Sequence, residues 1–352
     1  MFSTIKRTLP LAMVAAAGII ATPVYAEAYK VHYKNKTITI VIPYGPGGTY
    51  DKYGQTFSRH LGRFIPGEPT VIVQHMPGAG GAKAMNYTYN VMQKRGFHMV
   101  VPLDNVVINQ LLRPEKMRYQ SDKFTWIGSS NQTNNVMVVR TDSGVTDIKS
   151  WKGRNLIGAT SGKGSTGYIV PRLVMEVLGF EGKMVTGYKG SSRSIMAIEQ
   201  GEAQMASFNW LAWSSKVPHW FRVDWSKGSA PFARAILQVG HFRDPALPGV
   251  PMLADLVDDK YKDVVAFLGG LGVLGRGLAL PPGVPRALVP GLRASYKTMN
   301  GDAKFAAELK KRRLRLMFTD GATLQKTVAR SLRATTPAVI KQLRTLVFGG
   351  SS

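Results

Sequence analysis

Ile38–Gly54 reads ITIVIPYGPGGTYDKYG. A β-branched apolar run, broken only by Thr39, has strand character and leads into Pro43, followed by Gly45, Pro46, Gly47 and Gly48. Thr49 is the expected N-cap, and Asp51 falls in the first turn of a helix that should continue to Leu61. A strand, a glycine turn and a helix in that order leave backbone N–H groups free at the helix start. The positive end of the helix dipole lies behind them. Such a place holds an anion without needing an arginine. The rest of the chain is expected to close a second wall over it.

Ahead of this stretch, residues 1–26 carry Lys6 and Arg7, the apolar run LAMVAAAGII and the small-residue pattern Val24-Tyr25-Ala26. That is the pattern of a secretory leader. The apolar core is too short for a membrane span and ends in a cleavage site. No later apolar run is long enough to cross a bilayer, so an exported, soluble protein is expected. The absence of cysteine rules out disulfides and thiolate zinc sites. A chain of 352 residues with 44% apolar content has room for two packed domains. Its 46 basic and 21 acidic residues give a net charge of +25, which raises the question of nucleic acid. The basic residues are scattered, however, and the densest group (Lys310, Lys311, Arg312, Arg313, Arg315) falls on an expected amphipathic helix. No aromatic-interleaved basic motif accompanies it. A basic soluble surface is the reading, with no nucleic-acid partner.

Further along, residues 70–74 read as a strand, Met76–Gly81 as a turn, Ala82–Met92 as a helix and Phe97–Leu103 as a strand. Short apolar strands alternating with helices predict an α/β fold with a largely parallel sheet. Trp126–Ser129 and Val136–Arg140 are strands around a polar link, and the pattern restarts with the strand Asn155–Ala159, a Gly/Ser turn and the helix Tyr168–Leu178. A crossover is therefore placed at 126–135. Ile236–Val239 begins a return, Val264–Leu274 re-enters the first domain, and 303–318 and 322–347 should be two amphipathic helices. The resulting division is a leader at 1–26, one lobe from 27–125 plus 240–352, and a second from 126–239.

Enzyme motifs fail one by one. Gly162-Lys163-Gly164-Ser165-Thr166-Gly167 matches G-x-G-x-x-G, but the next expected strand ends in Tyr188-Lys189 rather than in the acid that a dinucleotide ribose needs. A P-loop wants Ser or Thr directly after its Gly-Lys pair, and here Gly164 follows. Gly190-Ser191-Ser192-Arg193-Ser194 lacks the closing glycine of a nucleophile elbow. The six histidines (His32, His60, His75, His98, His219, His241) include no i, i+4 pair, so neither a helical zinc site nor any cofactor is expected.

Six motifs in register resemble the solute-binding receptors of the tripartite tricarboxylate transporter family, the Bug-type periplasmic binding proteins. Ile38–Asp51 is similar to the family's first strand and its Pro, aromatic, Gly-Gly, Ser/Thr, Asp turn. Met76–Gly81 resembles its P-G-A-G-G turn, and Gly158–Thr166 its second-lobe turn. Gly187-Tyr188-Lys189-Gly190 through Gly201-Glu202 is similar to its Y-K-G helix. Pro251–Leu256 and Pro281–Pro285 resemble its P-T-L-A-E and A-P-x-G-T-P segments. His75, Arg193 and Phe208 depart from the family's usual residues, while Asn209 matches. The resemblance implies a periplasmic Venus-flytrap: two α/β lobes, each a sheet flanked by helices, joined by crossover strands. It implies a monomer without enzymatic activity that passes a small carboxylate ligand to integral-membrane permease subunits. An exported α/β hydrolase-like enzyme and a sensor for a membrane signalling partner are the alternatives.

A carboxylate taken from water must regain its hydrogen bonds, which helix starts and small hydroxyls can supply. The expected ligand-binding residues are Tyr44, Gly47, Gly48, Thr49, Gly80 and Gly81 from one side. From the other come Ser161, Lys163, Gly164, Ser165, Thr166, Tyr188 and Asn209. The glycines would let backbone approach the ligand. Asp51 should brace its loop, since it would repel a carboxylate if it faced the cleft. Lys163, between two glycines, would meet a second acid group or another acceptor on the ligand.

Overall fold

The computed structural model describes residues 29–223 and 230–349, so the leader expected at 1–26 lies outside the described residues. After a helical turn at residues 29–33 (α1), the quoted stretch forms β1 (Thr37–Ile42) and α2 (Thr49–His60). Ile38, Ile40, Val41 and Ile42 are all buried, so this strand is covered on both faces, as an α/β sheet requires. Gly47 makes the turn possible with φ 87°, a conformation that a Cβ disfavours. The chain continues through β2 (Thr70–His75), α3 (Ala82–Asn90), β3 (His98–Val100), α4 (Val106–Leu112) and β4 (Thr125–Ser129). Then come β5 (Asn135–Arg140), β6 (Leu156–Ala159), α5 (Thr166–Leu178), β7 (Gly182–Val185), α6 (Ser191–Glu199), β8 (Met205–Asn209), α7 (Trp210–Ser214) and β9 (Ala233–Val239). The return is α8 (Lys262–Gly269), β10 (Gly277–Leu280), α9 (Leu288–Asn300), α10 (Ala303–Lys311), β11 (Thr319–Asp320), α11 (Gly321–Ala334) and α12 (Pro337–Phe348).

Two sheets result. The first has the order β11-β4-β10-β3-β1-β2, with β1 parallel to β2 and β3, and β10 antiparallel between β3 and β4. The second has the order β7-β6-β8-β5-β9, with β5 antiparallel to both its neighbours and β6 parallel to β7 and β8. A sheet flanked by helices in each lobe is the expected architecture, but the sheets are mixed rather than largely parallel, because β4 and β5 beside the first crossing and β9 and β10 beside the second pair antiparallel with their neighbours. The chain passes between the sheets twice, from Ser129 to Asn135 and from Val239 to Gly277.

The lobe boundaries differ from the expectation in two places. Trp126–Ser129 was placed at the opening of the second lobe, but it hydrogen bonds to β10 and β11 in the first sheet, and the crossing follows it. At the other end, α8 and α12 do not complete the first lobe. Val264, Val265 and Leu268 of α8, with Leu343 and Val347 of α12, share a core with Met137, Ile169 and Leu173 of the second lobe. The apolar stripe of α12 decides this, because it finds its cover on α5 rather than on the first sheet.

The two long C-terminal helices become three. α10 stops at Lys311, and Arg313 turns the chain with φ 57°, so the basic group at 310–315 is not one helical face. Pro337 starts a new helix, and Thr336 Oγ1 accepts from Val339 N–H at its cap.

Candidate functional site

The carboxyl ends of β1, β6 and β8 point into the space between the sheets, which is where open α/β sheets hold ligands. A small cavity of ≈ 30 Å³ lies there. The turn after β1 lines it with Tyr44, Gly45, Gly48, Thr49 and Tyr50; the turn after β6 adds Ser161, Ser165, Thr166 and Gly167. Ser191 opens α6, Phe208 and Asn209 end β8, and Arg276 immediately precedes β10.

Three helix starts face this space: those of α2, α5 and α6. None has a side-chain cap. Thr49, the expected cap of α2, is instead its first residue, and Gly48 holds the cap position in an extended conformation. The Thr49 hydroxyl accepts from Asn209 Nδ2 of the other lobe at 3.1 Å, which explains why it does not turn back on its own helix. Ser165 does occupy the cap of α5, but its hydroxyl donates to Gly162 O at 2.8 Å and meets Thr160 Oγ1 at 2.8 Å. First-turn N–H groups without side-chain caps at three converging helices make a positive wall of partial charges.

Asp51 braces its loop as expected. Its carboxylate accepts from Gly47 N–H at 2.8 Å and pairs with His75 Nε2 at 2.7 Å. His75, which departs from the family's usual residue, thus ties β2 to α2. Burial pushes the hydroxyls of Tyr44 and Tyr50 above their ordinary range, so both stay neutral; Tyr44 donates to Gly80 O at 2.9 Å.

Of the expected residues, Tyr44, Gly48, Thr49, Ser161, Ser165, Thr166 and Asn209 come together around the cavity. Gly80, Gly81 and Tyr188 line an adjoining cavity of ≈ 230 Å³ that shares Tyr44 and Ser161. Gly47 lies against Ser192, outside both. Lys163 is exposed and lines neither. The turn after β6 meets the first lobe through backbone, which sends the intervening lysine outward. A Cβ on Gly80 would sit 2.6 Å from Ser165 N, and one on Gly164 would sit 3.0 Å from Ala79 O. These two glycines let one lobe approach the other. Gly164 O accepts from Asn105 Nδ2 at 2.9 Å and Asn109 Nδ2 at 2.7 Å, and Gly45 N–H donates to Lys189 O at 2.7 Å, all across the cleft.

Sequence reasoning missed Arg276 and Tyr50. The Arg276 side chain is 2% exposed. Its Nη1 donates to Asp104 Oδ2 at 3.0 Å and to Gly275 O at 3.1 Å, and its guanidinium lies 3.7 Å from the centre of the Tyr50 ring. Burial works against its charged form, but the interactions with Tyr50 and Asp104 outweigh it and hold its pKa above the ordinary arginine value, so the guanidinium stays charged. Its Nε has no hydrogen-bond partner. Among the described residues no group of three or more His, Asp or Glu side chains is placed to hold a metal ion.

Two sheets with this topology, facing each other across a cavity at their carboxyl ends, have the two-lobed fold of the Bug- and TctC-type periplasmic binding proteins, the fold that the resemblance implied. Periplasmic binding protein BugD has the same fold with a TM-score of 0.70 at 18% identity, covering 89% of this chain and 98% of its own. MatC from Rhodopseudomonas palustris with bound malate gives 0.67 at 19% identity, covering 89% of this chain and 99% of its own. R. palustris Rpa4515 with adipate gives 0.67 at 18% identity, covering 88% and 97%. A curated relative, the UPF0065 protein of the tcbD–tcbE intergenic region of Pseudomonas sp. (strain P51), is 25% identical over 270 residues, which is 74% of this chain and 73% of the relative. No protein-family model matches the chain.

Proposed function

We propose that the protein is an exported receptor that captures a small organic carboxylate between its lobes. It would then hand the ligand, as a monomer in the periplasm, to a tripartite tricarboxylate-type membrane permease. The observation that carries this reading is the convergence of three uncapped helix starts on one cavity between the sheets. Their N–H groups offer charge-assisted hydrogen bonds to a carboxylate, and Thr49, Ser161 and Ser191 add hydroxyls nearby. The nearest acid of the loop, Asp51, is engaged by Gly47 and His75. Malate on MatC and adipate on Rpa4515, both held on this fold, support carboxylate chemistry. Export rests on the leader-like residues 1–26, and delivery to a permease on the likeness to transport receptors.

A thermal-shift screen of the mature protein over mono-, di-, tri- and aromatic carboxylates, with sugars and amines as controls, tests the reading. Calorimetry would then follow on the hits. At least one carboxylate is expected to raise the melting temperature in a concentration-dependent way, since a ligand that binds only the folded state stabilises it. A response confined to the sugars or amines would contradict the reading.

A further inference from the structure

Two residues of the basic group at 310–315 take part in a cluster of cations at the seam between the lobes. Lys52 lies on α2, Arg312 and Arg313 follow α10, and Lys216 follows α7. The first three belong to the first lobe, because Tyr53, Phe57, Leu309 and Leu314 beside them pack in its core. Lys216 belongs to the second, since its neighbours Trp213 and Val217 pack with Val136 and Phe208. Lys52 Nζ donates across the seam to Ser215 Oγ at 2.9 Å and to Ser215 O at 3.1 Å, the residue next to Lys216. Lys216 Nζ donates to Ser192 Oγ at 2.7 Å. Arg312 pairs with Glu308, whereas Lys216 and Arg313 are exposed and make no ion pair among the described residues. Asp51, beside Lys52 in the chain, is engaged by Gly47 and His75. Burial first, then the charges of Lys216, Arg312 and Arg313, push the Lys52 amine down to about 8 from an ordinary 10.5, against a pull from Asp51. The surfaces that meet when the lobes close therefore carry charge of the same sign.

We infer that this seam is a charge gate, in which Lys216 of the second lobe and the three cations of the first oppose closing and hold the receptor open until a ligand or screening salt offsets them. The inference rests on the two-lobe fold and not on which ligand the cavity takes. With the lobes apart, water solvates Lys52, and Lys216 moves away with its own lobe. Closing removes part of that water and brings Lys216 up to Lys52, Arg312 and Arg313. The hydrogen bonds to Ser215 replace the lost water, but they do not cancel the repulsion. Because Arg312 and Arg313 stay with the first lobe in either state, the repulsion acts on closure and not on the folding of either lobe. Its consequence is a small closed population without ligand, so that a ligand bound in the cavity decides the state.

The test is small-angle scattering of the mature protein without ligand, extrapolated to zero protein concentration. Sodium chloride is raised from about 0.01 M to about 1 M, over which the screening length falls from about 30 Å to about 3 Å. The wild-type radius of gyration should fall across this range. Lys216→Gln keeps a donor for Ser192 and removes the second lobe's charge, so it should start at the contracted value in low salt and change little. Arg313→Gln should lie between the two. Lys149→Gln removes the same charge from the second lobe ahead of the amino end of β6, the end away from the cavity, and should behave as wild type. Arg313→Gln against Lys149→Gln decides even if Lys216→Gln does not fold. A wild-type radius that does not respond to salt, or seam variants that follow the Lys149→Gln curve, overturns the inference and leaves the carboxylate reading standing.

Discussion

Asn209 joins the two lobes with one side chain. Its Oδ1 accepts from Ala212 N–H at 3.1 Å and caps α7, while its Nδ2 reaches Thr49 across the cleft. Asn209→Asp keeps the cap and replaces the donor by an anion at the cavity wall. Its melting temperature should stay close to wild type, while carboxylate affinity should fall by about 1.5 kcal/mol or more, the scale of a hydrogen bond at a charged group. Equal affinity would remove Asn209 from the site. Thr49 was legible because a hydroxyl after Gly-Gly has few roles other than capping or contact, and Asn209 because it matches the residue of the resembled family. Arg276 was not legible. It stands in the apolar run LGRGLAL, and its partner Asp104 is 172 positions away, so only the folded chain brings the pair together. Lys163 misled for the opposite reason: neighbouring glycines mark a turn used by the backbone, and they carry no information on where the intervening side chain points.

At the scale of elements, α10 docks on α2 through Glu308, which meets Arg59 and His60 of α2 and Arg312 of its own turn. Burial works against its charge, but the hydrogen bonds from Arg59 and His60 and the nearby cations hold the carboxyl down at about 2, against an ordinary 4.5. A depressed carboxyl contributes stability above its unfolded value, and that contribution is lost as pH falls from 4.5 through about 2. Melting curves across this window should fall more steeply for wild type than for Glu308→Gln, and added salt should narrow the difference because the partners are partly exposed. Parallel curves would show that the contact contributes nothing. The C-terminal helix has a different anchor. Leu343→Ala should destabilise the fold by about 2–5 kcal/mol, as large-to-small changes in a closed core do, with little change in ligand selectivity. Urea unfolding measures it, and a loss under about 1 kcal/mol would mean that α12 is not part of the second lobe's core. The apolar stripe of α12 was readable in the sequence. Its destination was not, because periodicity names the buried face and not the surface that buries it.

The whole molecule is a pair of sheets held together by polar backbone contacts on the cavity side. Asn105 and Asn109 reach Gly164 O from the first lobe, Gly45 meets Lys189, and Lys52 Nζ donates to Ser215 O at 3.1 Å. None of these groups except Gly45 lines the cavity. Asn109→Ala should therefore weaken every carboxylate by the same factor, since it lowers the population of closed protein rather than a ligand contact. A loss that differs several-fold between ligands, measured by calorimetry, would contradict this. The two-lobe plan was legible because the strand, glycine turn and helix unit appears in both halves. The crossing point was misplaced because nothing within the short strand Thr125–Ser129 says which sheet it joins. Pairing with β10, which arrives about 150 residues later in the chain, settles its lobe. Small-angle scattering of the mature protein, free and saturated with a carboxylate found by the screen, tests the central claim that the ligand is held by closing two lobes. The radius of gyration should fall on binding; an unchanged profile at full occupancy would contradict it.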